Sequence, residues 1–165
     1  MRIASFLLLA LLAFPSLAAD DAPMKKVAWL AGTWQGDGWI IGRGDEKSTF
    51  HQTEVVKLEA GDLVLVIDGT GKDDKGKVVH DAFAVVDYDS AAKQYRWHSW
   101  RAGGGDHQTA PEVSDGRFVW GMDVQGGKMR YTITKTAEGK WFEVGEFTRD
   151  GAQWSKFFEM TLTRK

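Results

Sequence analysis

The chain has 165 residues, with 21 Lys and Arg against 23 Asp and Glu, no Cys, and a formal charge of −2 at pH 7. That length holds one domain comfortably, and the slight acidity argues against a surface built for nucleic-acid phosphates. The absent Cys removes disulfides, thiol catalysis, thiolate metal sites and a lipoprotein anchor.

The chain opens MRIASFLLLALLAFPSLAAD. Arg2 supplies a positive start, and the apolar run from Ile3 to Phe14 is too short to span a bilayer and stay anchored. Ser16 and Ala18 are small residues at the positions a signal peptidase reads, and Asp20 and Asp21 follow. The pattern predicts a secretory signal peptide over residues 1–18 and a single domain over 19–165. The expected product is free in a bacterial periplasm, or alternatively secreted, with no stable membrane insertion after cleavage. Removing Arg2 leaves 20 basic against 23 acidic residues, a net −3. The mature length (165 minus 18, or 147 residues) is enough to bury a core without disulfides. With no Asn in the chain there is no glycosylation sequon.

Pro23 to Leu30 predicts one or two helical turns, stopped by Gly32. From Trp34 onward, short alternating runs separated by Gly and Asp predict ten strands, at 33–41, 49–59, 62–69, 77–87, 94–101, 106–113, 117–125, 128–136, 140–148 and 153–163. Ala60-Gly61, Asp115-Gly116, Gly126-Gly127 and Asp150-Gly151 read as tight hairpin turns. They place Leu58 opposite Leu63 and Glu54 opposite Ile67, Trp120 opposite Ile133 and Met122 opposite Tyr131, and Glu143 opposite Phe158. A meander of ten strands closes best as an all-β, antiparallel up-and-down barrel.

The segments WLAGTWQGDGW, FAVVDYDSAAKQYRWHSWRAG and FFEMTLTRK resemble an uncharacterised family of bacterial proteins. Its members begin near a Leu-x-Gly-x-Trp motif, carry a Tyr-Asp mid-chain and end in an Arg-rich strand. The matching positions here are Leu30, Gly32, Trp34, Tyr88, Asp89, Arg164 and Lys165. The family is similar to the calycin barrels: lipocalins, fatty-acid-binding proteins and nitrobindin. The resemblance implies a barrel plugged at one end by a short helical turn and Trp34. Nitrobindin holds haem through a His near its C-terminus, whereas the four His here stand at 51, 80, 98 and 107, so no cofactor is expected.

A barrel of this size encloses an apolar space with a few polar groups. Gln52 and Glu54 share a face with Phe50, Val56 and Leu58; Glu143 and Lys156 share one with Trp141, Phe158 and Met160. Burying such charges is costly unless they are paired or meet a polar ligand, and the alternative is a structural Glu–Lys pair. Arg96, His98 and Trp100 alternate along one strand, and a loop over 102–105 would bring His107 to the same face. Together they could grip an anionic or aromatic ligand, or instead be a Trp-rich strand with partly exposed His. The expected ligand-binding set is Glu54, Arg96, His98, Trp100, His107, Trp120, Tyr131, Glu143 and Lys156, with no metal ligands.

No Gly-x-Ser-x-Gly, His-Glu-x-x-His or phosphate-binding loop is present. Ser99 beside His98 is no dyad, because neighbours on a strand point to opposite faces. Asp68 to Asp74 resembles half a calcium loop, but Val79 stands where the closing Glu belongs. The expected function is non-covalent binding of a small hydrophobic or amphipathic molecule by a monomeric lipocalin-like barrel. The alternatives are an envelope-associated structural domain filled by its own aromatics, and an enzyme using a lumen carboxylate.

Overall fold

Residues 22–42 and 44–165 are described by the structure, a computed structural model. The leader read at 1–18 lies outside them. Two short 3-10 turns, Pro23–Lys26 and Ala28–Leu30, lead into eleven strands. These are β1 (Gly32–Ile41), β2 (Lys47–Glu59), β3 (Val64–Lys72), β4 (Val78–Asp89), β5 (Gln94–Arg101), β6 (Asp106–Thr109), β7 (Glu112–Ser114), β8 (Arg117–Val124), β9 (Gly127–Lys135), β10 (Trp141–Thr148) and β11 (Ser155–Arg164). They form one sheet in the order β6-β5-β4-β3-β2-β1-β11-β10-β9-β8-β7. This is the expected all-β, up-and-down, calycin-like architecture, curled into a half-barrel.

The extra strand comes from Pro111. The run read as one strand over 106–113 divides at Ala110-Pro111, because a proline has no N–H to give to a ladder. Its first part pairs with β5 and its second with β8. One stretch of chain thus serves both edges of the sheet, and a seam lies between β6 and β8.

Three expected registers move by two residues. The loop after β2 spans four residues, with Ala60, Gly61 and Asp62 all at positive φ, so Leu58 pairs with Leu65 and Glu54 with Gly69. The turn after β8 is Gln125-Gly126, so Trp120 pairs directly with Tyr131 and Met122 with Met129. Gly127 is a strand residue whose missing side chain lets the Thr148 carbonyl approach. Glu143 pairs with Met160. A shift of two preserves the alternation of faces, so the inward sets survive. Asp115-Gly116 is the two-residue turn expected.

One end of the barrel is plugged. Met24, Val27, Leu30 and Trp34 are buried there with Tyr95. The Trp34 indole donates to the Leu30 carbonyl at 2.7 Å, and the Tyr95 hydroxyl to the Pro23 carbonyl at 2.6 Å. From the last strand, Arg164 donates to the carbonyls of Ala31 and Trp29 while lying over the Trp34 ring. No helix among the described residues is long and apolar enough to cross a membrane.

Candidate functional site

Strand alternation sets a group of polar side chains on the inner wall, beyond the plug. Gln52 and Glu54 project inward from β2 and Glu143 from β10, at 4%, 6% and 6% exposure. The Gln52 amide donates to Glu54 Oε1 at 2.7 Å, and the Trp141 indole donates to Glu143 Oε2 at 3.0 Å. Room for Glu54 comes from Gly69 across the ladder: a Cβ there would stand 2.6 Å from Glu54 Oε2. Among the described residues neither carboxyl has a cationic partner; the arginine ion pairs run from Arg96 to Asp87 and Asp89 and from Arg130 to Glu146.

Isolation from water raises the pKa of both acids, because burial penalises the charged form. Burial pushes Glu54 up to about 7; the Gln52 hydrogen bond opposes the shift and the Asp68 charge adds to it. Burial pushes Glu143 up to about 8, reinforced by the Glu54 charge and opposed by the Trp141 donor. The two carboxyls therefore feel one another and are partly protonated near neutral pH.

Aromatic rings fill the space beside them. Trp97, Trp120 and Tyr131 form a continuous stack, with centroids 4.8 and 4.3 Å apart and interplanar angles of 16° and 10°. Phe157 and Phe158 meet Tyr131 edge-on, and Phe158 stacks on Phe50. The Tyr131 hydroxyl is pushed up by burial and by the Glu143 charge, with Arg101 opposing. The Trp97 indole N–H is buried without an acceptor. A groove of about 390 Å³ runs along the seam, lined by His107, Thr109, Trp120, Met129, Arg130 and Trp154 among others. A second space of about 530 Å³ lies at the plugged end, between the first helical turn and Tyr88, Tyr95 and Pro111.

Of the residues singled out in the sequence, the structure brings together Glu54, Glu143, Trp120 and Tyr131. His107 is also on the inner wall, on the face opposite that expected. Asp106 rather than His107 pairs with Trp100, and this one-residue difference turns the imidazole over. Its Nε2–H donates to the Gly121 carbonyl at 2.9 Å, holding the seam where no ladder does. Arg96, His98 and Trp100 lie on the outer wall, since Tyr95 and Trp97 take the buried face. Arg96 there grips Asp87 and Asp89. His98 packs 3.8 Å from the Trp100 ring, and its Nε2 is 3.1 Å from Asp106.

Lys156 also lies outside, donating to Glu159 at 2.6 Å. A bulge inserts Phe157 opposite the Gly145/Glu146 step, so Lys156 pairs with Glu146 and leaves the face of Glu143. The interior therefore holds no Glu–Lys pair of the kind the alternation suggested. Sequence reasoning missed His80 and Arg101. His80 titrates below its ordinary range through desolvation and then the Arg101 charge, with Asp81 opposing. Counting by twos from Trp97 through Ser99 reaches Arg101, and from Val86 through Ala84 reaches His80.

Among the described residues no three His, Asp or Glu side chains converge as a metal site. The calycin resemblance raises haem as a ligand. The inward positions of β11 are Phe158, Met160 and Leu162, none of them His, and packed rings occupy the space above them. These residues do not fit haem held from the C-terminal strand.

Solved structures share the fold, among them the following two. Rv2717c from M. tuberculosis matches with a TM-score of 0.63 at 12% identity, covering 87% of this chain and 98% of that one. The S-type phycobiliprotein lyase CPES from Guillardia theta matches with a TM-score of 0.54 at 10% identity, covering 86% of this chain and 90% of that one. Likeness at such identities is likeness of fold. No protein-family model matches the sequence, and no curated protein matches it.

Proposed function

We propose that this barrel binds a small, partly apolar molecule non-covalently on the inner wall, against Glu54, Glu143, Trp120 and Tyr131. The observation that carries the reading is that Glu54 and Glu143 are both buried on the inner wall, each with only a neutral donor. A wall evolved only for stability does better with apolar residues at such positions, because two carboxyls are costly to desolvate. The barrel architecture supports the reading as an analogy of fold, and one neighbour is named as a lyase of phycobiliproteins. Export of a monomer into the periplasm after cleavage behind Ala18, and kinship with the uncharacterised bacterial Leu-x-Gly-x-Trp proteins, belong to the same proposal.

The raised pKa of these two buried carboxyls also favours a second reading, acid–base catalysis by one of them. Native mass spectrometry of the full-length chain, expressed with its leader and gently isolated, tests the first. The expected spectrum shows the chain cut after Ala18 and carrying a small-molecule adduct that Glu54→Gln/Glu143→Gln loses. A bare mass for the wild-type protein overturns tight binding.

A further inference from the structure

We propose a second binding site, at the plugged end of the barrel, for a small organic anion with an apolar body. It lies between the first helical turn and the turn joining β4 to β5, and it is independent of any ligand on the inner wall.

Shape is the first argument. The space of about 530 Å³ at this end is of the size that small-molecule sites have. Much of its lining is carbon, from the rings of Tyr88 and Tyr95 and from Pro23, Pro111 and Val113. Each wall is held by contacts of its own. The Tyr95 hydroxyl ties down the helical turn at the Pro23 carbonyl, and Met24 and Val27 bury that turn. Asp89 braces the β4–β5 turn by accepting from the backbone N–H groups of Ala91 and Ala92. Tyr88 and Val113 pack against the core, and Pro111 is buried. Walls fixed before a ligand arrives leave little to order on binding.

Charge identifies the ligand. The chain as a whole carries more acid than base, 23 Asp and Glu against 21 Lys and Arg. The lining of this pocket reverses that balance, with Lys25, Lys26 and Lys93 and no Asp or Glu. Lys26 and Lys93 are exposed and form no ion pair among the described residues. The neighbouring acids are engaged elsewhere. Asp89 takes Arg96 as well as its backbone donors, and Glu112, between Pro111 and Val113, lines the seam groove instead. A lysine ammonium is a point charge with three donors, suited to the oxygens of a carboxylate, sulfate or phosphate. An anionic head at the lysines leaves the body of the ligand against the tyrosine, proline and valine carbons.

Isothermal titration of the full-length protein with three probes of one shape and different charge tests this: 3-phenylpropionate, 3-phenylpropan-1-ol and 3-phenylpropylamine. The carboxylate is expected to bind about fivefold more tightly than the alcohol, the scale of two solvent-exposed charge contacts, and the amine more weakly than either. In Lys26→Gln/Lys93→Gln the advantage of the carboxylate disappears while the alcohol is held as before. Amide shifts induced by 3-phenylpropionate in two-dimensional NMR should centre on Lys26, Tyr88, Lys93 and Val113. Shifts centred on Trp120 and Tyr131 instead put the anion on the inner wall and overturn this site. Equal binding of the three probes, no binding at all, or a carboxylate preference that survives in the lysine variant also overturns it. Asp20 and Asp21 precede Ala22 in the sequence, so Asp20→Asn/Asp21→Asn is titrated alongside. A carboxylate that binds this variant but not the wild type makes the chain's own acids the occupant, and overturns the free anion.

Discussion

The plugged end of the barrel and the inner wall beyond it bury different kinds of polar group. At the plugged end, the indole of Trp34, the hydroxyl of Tyr95 and the guanidinium of Arg164 each meet a backbone carbonyl of the N-terminal turns. Beyond the plug, two carboxyls are buried without a cation and the Trp97 indole has no acceptor. The plug has an orphan of its own, the buried Trp29 indole N–H, so what sets the inner wall apart is its two carboxyls buried without a cationic partner among the described residues.

The difference can be broken from either side, beginning where the effect is largest. Trp34→Ala removes a fully buried ring that also meets Trp141 edge-on at 6.0 Å. It should cost about 3–5 kcal/mol in urea denaturation, and a loss under 1 kcal/mol would show that the plug is not what holds the barrel.

The opposite sign is expected at the inner wall. Each glutamate binds its proton more tightly folded than unfolded, so its stabilising contribution is complete below the ordinary carboxylate range. That contribution is lost as pH rises through about 7 for Glu54 and about 8 for Glu143. The melting temperature should therefore fall between pH 5 and pH 9. Glu54→Gln/Glu143→Gln should flatten that slope and be more stable than wild type at pH 9, by on the order of a few kcal/mol. A wild-type profile flat over this range would contradict the burial of the pair.

Arg164→Ala takes away two carbonyl contacts and the cation over Trp34, a loss of about 1–2 kcal/mol by thermal melting. His107→Ala should cost about 0.5–1.5 kcal/mol. Faster amide exchange confined to β6 and β8 is the signature expected of a loosened seam. The smallest effect belongs to the outer wall: Arg96→Ala, despite its two aspartate partners, should leave the thermal melt close to that of the wild type.

Alternation makes much of this legible in the sequence. Glu54, Glu143, Trp120 and Tyr131 face inward as their patterns indicate, because every hairpin error between those strands was an even number of residues. The odd errors are the instructive ones. The bulged residue Phe157 and the longer turn before Asp106 each turned a side chain over, sending Lys156 outside and His107 inside. Neither feature leaves a period-2 signal. On β5 both faces alternate cleanly, the polar Arg96 and His98 against Tyr95 and Trp97, and the interior takes the second. Pro111 was in plain sight and its missing N–H divides the strand that contains it.

The position of that proline bears on how the molecule behaves among its own copies. An open sheet has two free edges, and long exposed edges invite strand addition from a neighbour and growth into aggregates. Here both edges are short, four residues in β6 and three in β7, and they are consecutive in the chain. The free side of β6 is turned toward β8, where the imidazole of His107 caps the carbonyl of Gly121. A second copy arriving at the sheet's margin meets a proline kink and a side-chain cap instead of a run of unpaired amides. The break that opens the barrel also shields its edges from polymerisation.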